Sequence, residues 1–259
     1  MPIFDSHAHY DDQRFDADRD ALLTRLFQSG EVEAVMTCGD CLESSRRSAA
    51  LAARYPQVYA AAGVHPQYAE QFDAATLPAL RMLVRENPKI RAIGEIGLDY
   101  YYDDGAPHAL QQQVLRAQIG LAAELGLPVI LHDRDAHGDM LAILRETRPA
   151  GVVHCYSGSV EMARELLAMG LYLGVTGVVT FPNSRRLREV VQMLPAQRML
   201  IETDAPYLAP APCRGQRNDS GLLTHVAAQI AQLRGETAAQ VIAQTRDNAR
   251  RLFGLETAG

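Results

Sequence analysis

The chain has 259 residues, 47% of them apolar, and a formal net charge of −6. That is ample for a sizeable core and close to the roughly 250 residues of one eight-stranded α/β barrel. The acidic balance argues against charge-driven binding of long nucleic acid along the whole surface, while leaving room for a local basic pocket around one phosphate group. No apolar run approaches the about 18 residues of a membrane span, and the first residues carry acids and histidines where a signal peptide would have a basic then an apolar segment. A cytoplasmic protein without a membrane partner is expected. The four cysteines include one CxxC, Cys38 to Cys41, but no matching second pair, so neither a disulfide framework nor a structural zinc site is expected.

Along the chain a short apolar run, a polar or glycine-containing break and a helix-period segment recur. The runs that read as strands are Pro2–Asp5, Glu33–Thr37, Val58–Gly63, Ile90–Gly94, Pro128–Leu131, Gly151–Val153, Leu171–Val175 and Met199–Thr203. Helical spacing appears between them, for example at Ala21–Gln28, His108–Leu125 and Val160–Met169, and two helices, Gly221–Leu233 and Thr237–Leu252, close the chain. Strands alternating with helices imply parallel βαβ units. Eight such units at this length favour a single-domain (β/α)8 TIM barrel spanning 1–259. An open doubly wound sheet is the alternative, but no GxGxxG follows an early strand.

In such a barrel the chemistry gathers at the C-terminal ends of the strands. Those ends read, in order, His7 and His9, then His65, Glu95, His132, His154 and Asp204. Five of the eight histidines fall there, and barrel closure brings them to one mouth. Burying several histidines and carboxylates together without a cation carries a large desolvation cost. His7, His9, Glu95, His132, His154 and Asp204 are too many ligands for one four-coordinate ion. They suit two divalent ions about 3.5–4 Å apart, bridged by a carboxylate. Lys89 is the only lysine and begins the fourth strand, on the wrong side to serve as a carboxylated bridge. That leaves Glu95 as the bridging candidate.

The segments DSHAHYDD, AAGVHPQ, AIGEIGLDYYY, LPVILHDRDAH, GVVHCYSGS and LIETDAPYLAP resemble, in order, the motifs of TatD-type metal-dependent deoxyribonucleases within the amidohydrolase-like barrel hydrolases. The resemblance covers nearly the whole chain. It implies a divalent-metal centre and phosphodiester hydrolysis, commonly the exonucleolytic removal of nucleotides from DNA ends. Carried over by position, His7, His9, Glu95 and Asp204 match one metal site, and Glu95, His132 and His154 the second. The stretch CRGQRNDSG departs from the family pattern: Asp219 and Ser220 stand where Glu-Pro is usual, and Asp219 is placed to cap the next helix.

The expected chemistry is attack by a metal-activated hydroxide, with Asp204 as ligand and general base and Glu95 as shared ligand. Glu202 is expected below the metals as support. His65, Arg134, Arg217 and Tyr100 are candidate substrate contacts, the arginines as phosphate clamps and the tyrosine for stacking. His108 and His137 open helices and receive no role. The residues leave zinc, manganese and magnesium open. They also leave a second substrate class open: a carboxylic ester, amide or lactone, such as an aminoacyl-tRNA ester. A non-catalytic metal-binding protein is a third reading, disfavoured by the complete ligand set. No stretch reads as an interface for an obligate protein partner.

Overall fold

A computed structural model describes residues 1–255. All eight strands form and pair in parallel in chain order: β1 (Ile3–Ala8), β2 (Val32–Cys38), β3 (Val58–Ala62), β4 (Ile90–Asp99), β5 (Val129–Arg134), β6 (Gly151–Val153), β7 (Tyr172–Val175) and β8 (Met199–Ile201). The helices around them are α1 (Arg19–Gln28), α2 (Leu42–Arg54), α3 (Thr76–Glu86), α4 (His108–Leu125), α5 (His137–Thr147), α6 (Val160–Ala168), α7 (Arg185–Met193), α8 (Leu223–Arg234) and α9 (Ala238–Leu252). The sheet curls until its ends meet just past β8, where the Asp204 N–H donates to the His7 carbonyl at 2.9 Å and the His9 N–H to the Ala205 carbonyl at 2.7 Å. This is the expected TIM barrel.

Alternation along the strands divides the core. One parity points inward, where Phe4, Met36, Ile130 and Leu200 fill the barrel. The other packs Ile93, Leu131, Leu173 and Ile201 against helix residues such as Leu115, Met140, Leu166 and Val226. Phe253, just past α9, floors the barrel with its ring 6.0 Å from that of Phe4. Local signals set the helix ends: Thr237 accepts from the Gln240 N–H while the Gln240 side chain accepts from the Thr237 N–H, a capping box that starts α9. Gly126, at φ 66°, ends α4 in the left-handed conformation that glycine adopts freely.

Strand boundaries differ from expectation where it matters for chemistry. β1, β4 and β5 run on into polar sequence, so His7, Glu95 and His132 lie within strands instead of just after them. Apolar runs mark only the part of a strand that packs on both sides, whereas backbone pairing continues into the polar mouth. β8 ends earlier than expected, at Ile201, because the Thr203 N–H and hydroxyl turn to the Asp5 carboxylate at 3.0 and 2.6 Å. Lys89 sits at the N-terminal end of β4, its ammonium donating to the carbonyls of Tyr55 and Pro56, far from the mouth. Among the described residues no helix is long and apolar enough to cross a membrane.

Candidate metal centre

Two strands slip register in the stretches that supply central side chains: β1 between Asp5 and Ala8, and β4 between Ile93 and Ile96. Such irregularities re-aim a side chain relative to its neighbours; here they frame His7 and Glu95. Glu95 is buried at the centre of the mouth with its two oxygens facing different clusters. Oε2 lies 3.3 Å from His7 Nε2 and 3.4 Å from His9 Nε2. Asp204 Oδ1 joins those two nitrogens at 3.6 and 3.4 Å. Oε1 lies 2.9 Å from His132 Nδ1 and 2.7 Å from His154 Nε2.

The outward-facing atoms of these rings define which nitrogens are bare. His9 Nδ1 lies 2.9 Å from the Cys38 carbonyl, which can only accept, so in the neutral ring Nε2 carries the lone pair. His132 Nε2 lies 3.3 Å from the Asp99 carboxylate, which leaves Nδ1 bare toward Glu95. His154 Nδ1 points to Glu202 Oε1 at 3.6 Å and has no hydrogen-bond partner of its own. His7 Nδ1 faces the Cys38 thiol at 3.4 Å. Backing partners of this kind orient metal-binding imidazoles.

In the absence of a cation, protons would have to offset the crowding. Burial pulls the His9 and His154 imidazoles down, yet Asp204 and Glu95 around the first and Glu95 and Glu202 around the second outweigh it and hold both well above the ordinary histidine value. Burial and the neighbouring His154 push His7 down. Burial raises the Glu95 carboxyl, but His154, His7, His65 and His132 together hold it well below its usual range. Two nitrogens, His7 Nε2 and His9 Nε2, nonetheless face each other at 3.1 Å.

These donor atoms fit divalent ions. Four ligands around an ion at bonds of about 2.0–2.2 Å lie about 3.3–3.6 Å apart when tetrahedral and closer when at right angles. His7, His9, Glu95 Oε2 and Asp204 are spaced 3.1–3.6 Å apart over the five contacts given by their atoms. Glu95 Oε1, His132 Nδ1 and His154 Nε2 are more compact, at 2.7–3.2 Å. The structure thus brings together all six expected ligands, in two groups that share one carboxylate.

The other expected site residues divide. His65 joins the mouth: its Nδ1 accepts from the Gln67 N–H at 3.2 Å, which places the ring proton on Nε2, 3.7 Å from Glu95 Oε1. Burial, then the adjacent His132, push its pKa down to about 3, so the ring is neutral. Glu202 is wholly buried beneath His154, accepting from the Ser6 hydroxyl and the Cys155 N–H. Arg134 lines a cleft of ≈ 1270 Å³ above the cluster. Arg217 and Tyr100 go elsewhere. The Arg217 guanidinium makes a two-pronged pair with Asp18 at 2.8 and 2.6 Å, outside the cleft. The Tyr100 hydroxyl donates to Asp139 at 2.8 Å while its ring stacks on His108, so Tyr102 lines the cleft in its place. Both were captured by partners elsewhere in the chain that sequence spacing does not reveal.

Sequence reasoning assigned no role to Asp99, Tyr207, Arg14 or Gly174; Asp99 and Tyr207 had a signal, their places in the segments that carry Glu95 and Asp204. The departure at Asp219-Ser220 is also built in. Asp219 caps a short turn at Ser220–Leu222 just before α8, accepting from the Gly221 N–H at 2.8 Å. The Ser220 N–H donates to the Tyr10 hydroxyl at 2.9 Å and its own hydroxyl to Asp5 at 2.7 Å. A proline could make neither bond.

A family model described as TatD related DNase matches residues 4–254. The chain belongs to the TatD family. Among TatD relatives it is 42% identical over 262 residues to the 3'-5' ssDNA/RNA exonuclease TatD of Cronobacter sakazakii, covering 97% of each chain. It is 39% identical over 256 residues to the uncharacterized metal-dependent hydrolase YabD of Bacillus subtilis, covering 98% of this chain and 99% of that one. In three dimensions it matches the crystal structure of YJJV, a TatD homolog from Escherichia coli, with a TM-score of 0.91, 34% identity and 98% of both chains covered.

Proposed function

We propose that this chain is a divalent-metal-dependent phosphodiesterase that shortens single-stranded nucleic acid from its 3' end. The observation that carries this reading is the Glu95 carboxylate, whose two oxygens each face a separate group of ligand atoms at the floor of a cleft open to solvent. The Cronobacter relative, a 3'-5' ssDNA/RNA exonuclease by name, supports the substrate and the polarity. His7, His9, Glu95 and Asp204 would hold one ion, and Glu95, His132 and His154 the other. Four imidazoles beside two carboxylates suit zinc or manganese better than magnesium, which prefers oxygen. Bound there, the ions would acidify a water and neutralise charge on phosphate oxygens.

The protein's own groups do the rest. Asp204, at the rim of the cluster, accepts the proton of the attacking water and returns one to the leaving oxygen. The His65 Nε2–H, neutral and buried, donates to a phosphate oxygen. Glu202 and Asp99 keep His154 and His132 in register, and Arg134 meets phosphate at the rim.

The test is digestion of a single strand labelled at either end by metal-stripped protein with each divalent ion restored. Asp204→Asn is expected to fold and bind metal but to turn over several orders of magnitude more slowly, with the wild type laddering a 5'-labelled strand. No cleavage with any ion, despite bound metal, would remove the nuclease reading.

A further inference from the structure

Five large apolar side chains stand exposed among the described residues, and three of them, Tyr101 (55%), Tyr102 (43%) and Tyr207 (46%), surround the mouth of the barrel. Exposed rings cost free energy in water, and their grouping at one place needs a reason. Each ring is also matched to an arginine. The Arg14 guanidinium lies 4.0 Å over the Tyr207 ring. The Arg134 guanidinium lies 3.6 Å over Tyr101 and 5.3 Å from Tyr102, whose hydroxyl accepts from it at 3.4 Å. Tyr207, Arg14, Tyr102 and Arg134 all line the cleft.

The two platforms lie on opposite sides of the cluster. Tyr207 follows Asp204 by three residues and its ring is 6.5 Å from His9, on the side of the first ligand group. Arg134 follows His132 by two residues, on the side of the second. Flat π-faces of this kind, backed by guanidinium, hold nucleobases irrespective of sequence.

Charge distinguishes the two sides. Apart from Arg134, each cleft arginine is neutralised by a carboxylate: Arg14 by Asp12 at 3.2 Å, Arg19 by Asp16 at 2.6 Å, Arg47 by Asp11 at 3.1 Å and Arg54 by Asp20 at 2.6 Å. Among the described residues no carboxylate pairs with Arg134. A strand end carries no phosphate beyond its terminal nucleoside, whereas the body of the strand brings one phosphate per step. The neutralised side therefore suits the terminal nucleoside, and the side whose guanidinium has no carboxylate suits the continuing strand.

We propose that Tyr207 and the Tyr102–Arg134 pair form a base clamp that spans the metal centre. The terminal base stacks on Tyr207 and the penultimate base on Tyr102–Arg134, so the scissile phosphate is stretched between them. This rests on the nuclease reading above and adds a requirement that reading lacks: the two nucleotides flanking the cut must both present an unstacked, unpaired base. A duplex end cannot supply that, so the clamp selects single strands.

The experiment places an abasic residue at the terminal, penultimate or third position of a short single strand. For the wild type, KM is expected to rise on the order of ten- to a hundredfold at the first two positions, as stacking of one base would require, and to stay level at the third. Tyr207→Ala should raise KM on the intact strand by a similar factor but add little on the strand lacking its terminal base. Tyr102→Ala should do the same for the penultimate base, and Tyr207→Phe should recover most of the loss. Equal responses at all three positions, or equal penalties from the alanine variants on intact and abasic strands, would overturn the clamp while leaving the nuclease standing. If the wild type digests no strand at all, the nuclease reading falls. Fluorescence anisotropy with the same strands then decides the clamp: weaker binding only for the first two abasic positions supports it, and indifference overturns it.

Discussion

Asp204 carries its carboxylate from a backbone held at φ 58°, a left-handed conformation that aspartate tolerates better than most side chains. That turn lets its N–H close the barrel onto His7 while its side chain faces His9. One residue thus links the seam of the fold to the chemistry at its mouth. His137 is a titrating histidine outside the candidate ligand set. Its Nδ1 lies 2.9 Å from Asp133, and that hydrogen bond outweighs partial burial to raise the imidazole above its ordinary value. A raised histidine stabilises the fold fully below its unfolded pKa of about 6.5, and the contribution disappears as pH rises through the folded value. His137→Gln should therefore cost stability at pH 5.5 and almost none at pH 8.5, as read by urea unfolding. The side chain is 35% exposed, so solvent screening limits the difference to about 1 kcal/mol or less.

At the scale of elements, the candidate ligands depend on neighbours outside the two ligand groups. β7 contributes Gly174, and a Cβ there would lie 2.4 Å from Glu202 Oε1. Glu202 is wholly buried between Ser6 on β1 and the Cys155 N–H, so it has no open space to move into. Gly174→Ala is expected to lose about 1–3 kcal/mol of stability, the usual cost of overfilling a packed interior. It should also lower metal content at the His132–His154 side, measured by elemental analysis after gel filtration. Unchanged content would mean that Glu202 does not position His154. The segment before α8 acts similarly on β1. Ser220, itself bonded to the Tyr10 hydroxyl, and Thr203 donate to the Asp5 carboxyl, which burial raises to about 7 despite those hydrogen bonds. A chain with proline at 220 would have to satisfy Asp5 and Tyr10 in another way.

For the molecule as a whole, the closing seam and the candidate ligand set coincide. Beyond β8 the barrel is held to β1 by a short stretch at Ala8 and Ala205, and His7, His9 and Asp204 stand on its two sides. Divalent ions bound there would clip the seam and stabilise the fold by mass action. Chelation should lower the melting temperature and speed amide exchange first at residues 5–9 and 202–206. The floor around Phe4 and Phe253 should stay protected. Because His9 and His154 hold protons strongly without metal, binding must displace them. Affinity should rise with pH, and calorimetric enthalpies should vary with the buffer's ionisation heat.

The convergence of the six candidate ligands was legible in the sequence because strand order and the two-residue period decide which ends meet at a barrel mouth. His108–Leu125 and Gly151–Val153 were legible to the residue, since helix and strand periods there are uninterrupted. Strand ends in polar sequence were not, because pairing at Gly97, Asp99 and Asp133 follows from partners across the sheet and leaves no apolar mark. Loop side chains were the least legible. Arg217 and Tyr100 carry the right chemistry at the right place in the chain, yet Asp18 and Asp139 draw them away.

By itself, then, the sequence determined the barrel, its open polar end and the residues that meet there, all consequences of local periodicity. Tertiary structure alone decided how Glu95 divides its two oxygens, that Glu202 needs the absent Cβ of Gly174, and which tyrosines face the cleft. Those outcomes depend on distances between residues far apart in the chain, and only packing sets such distances.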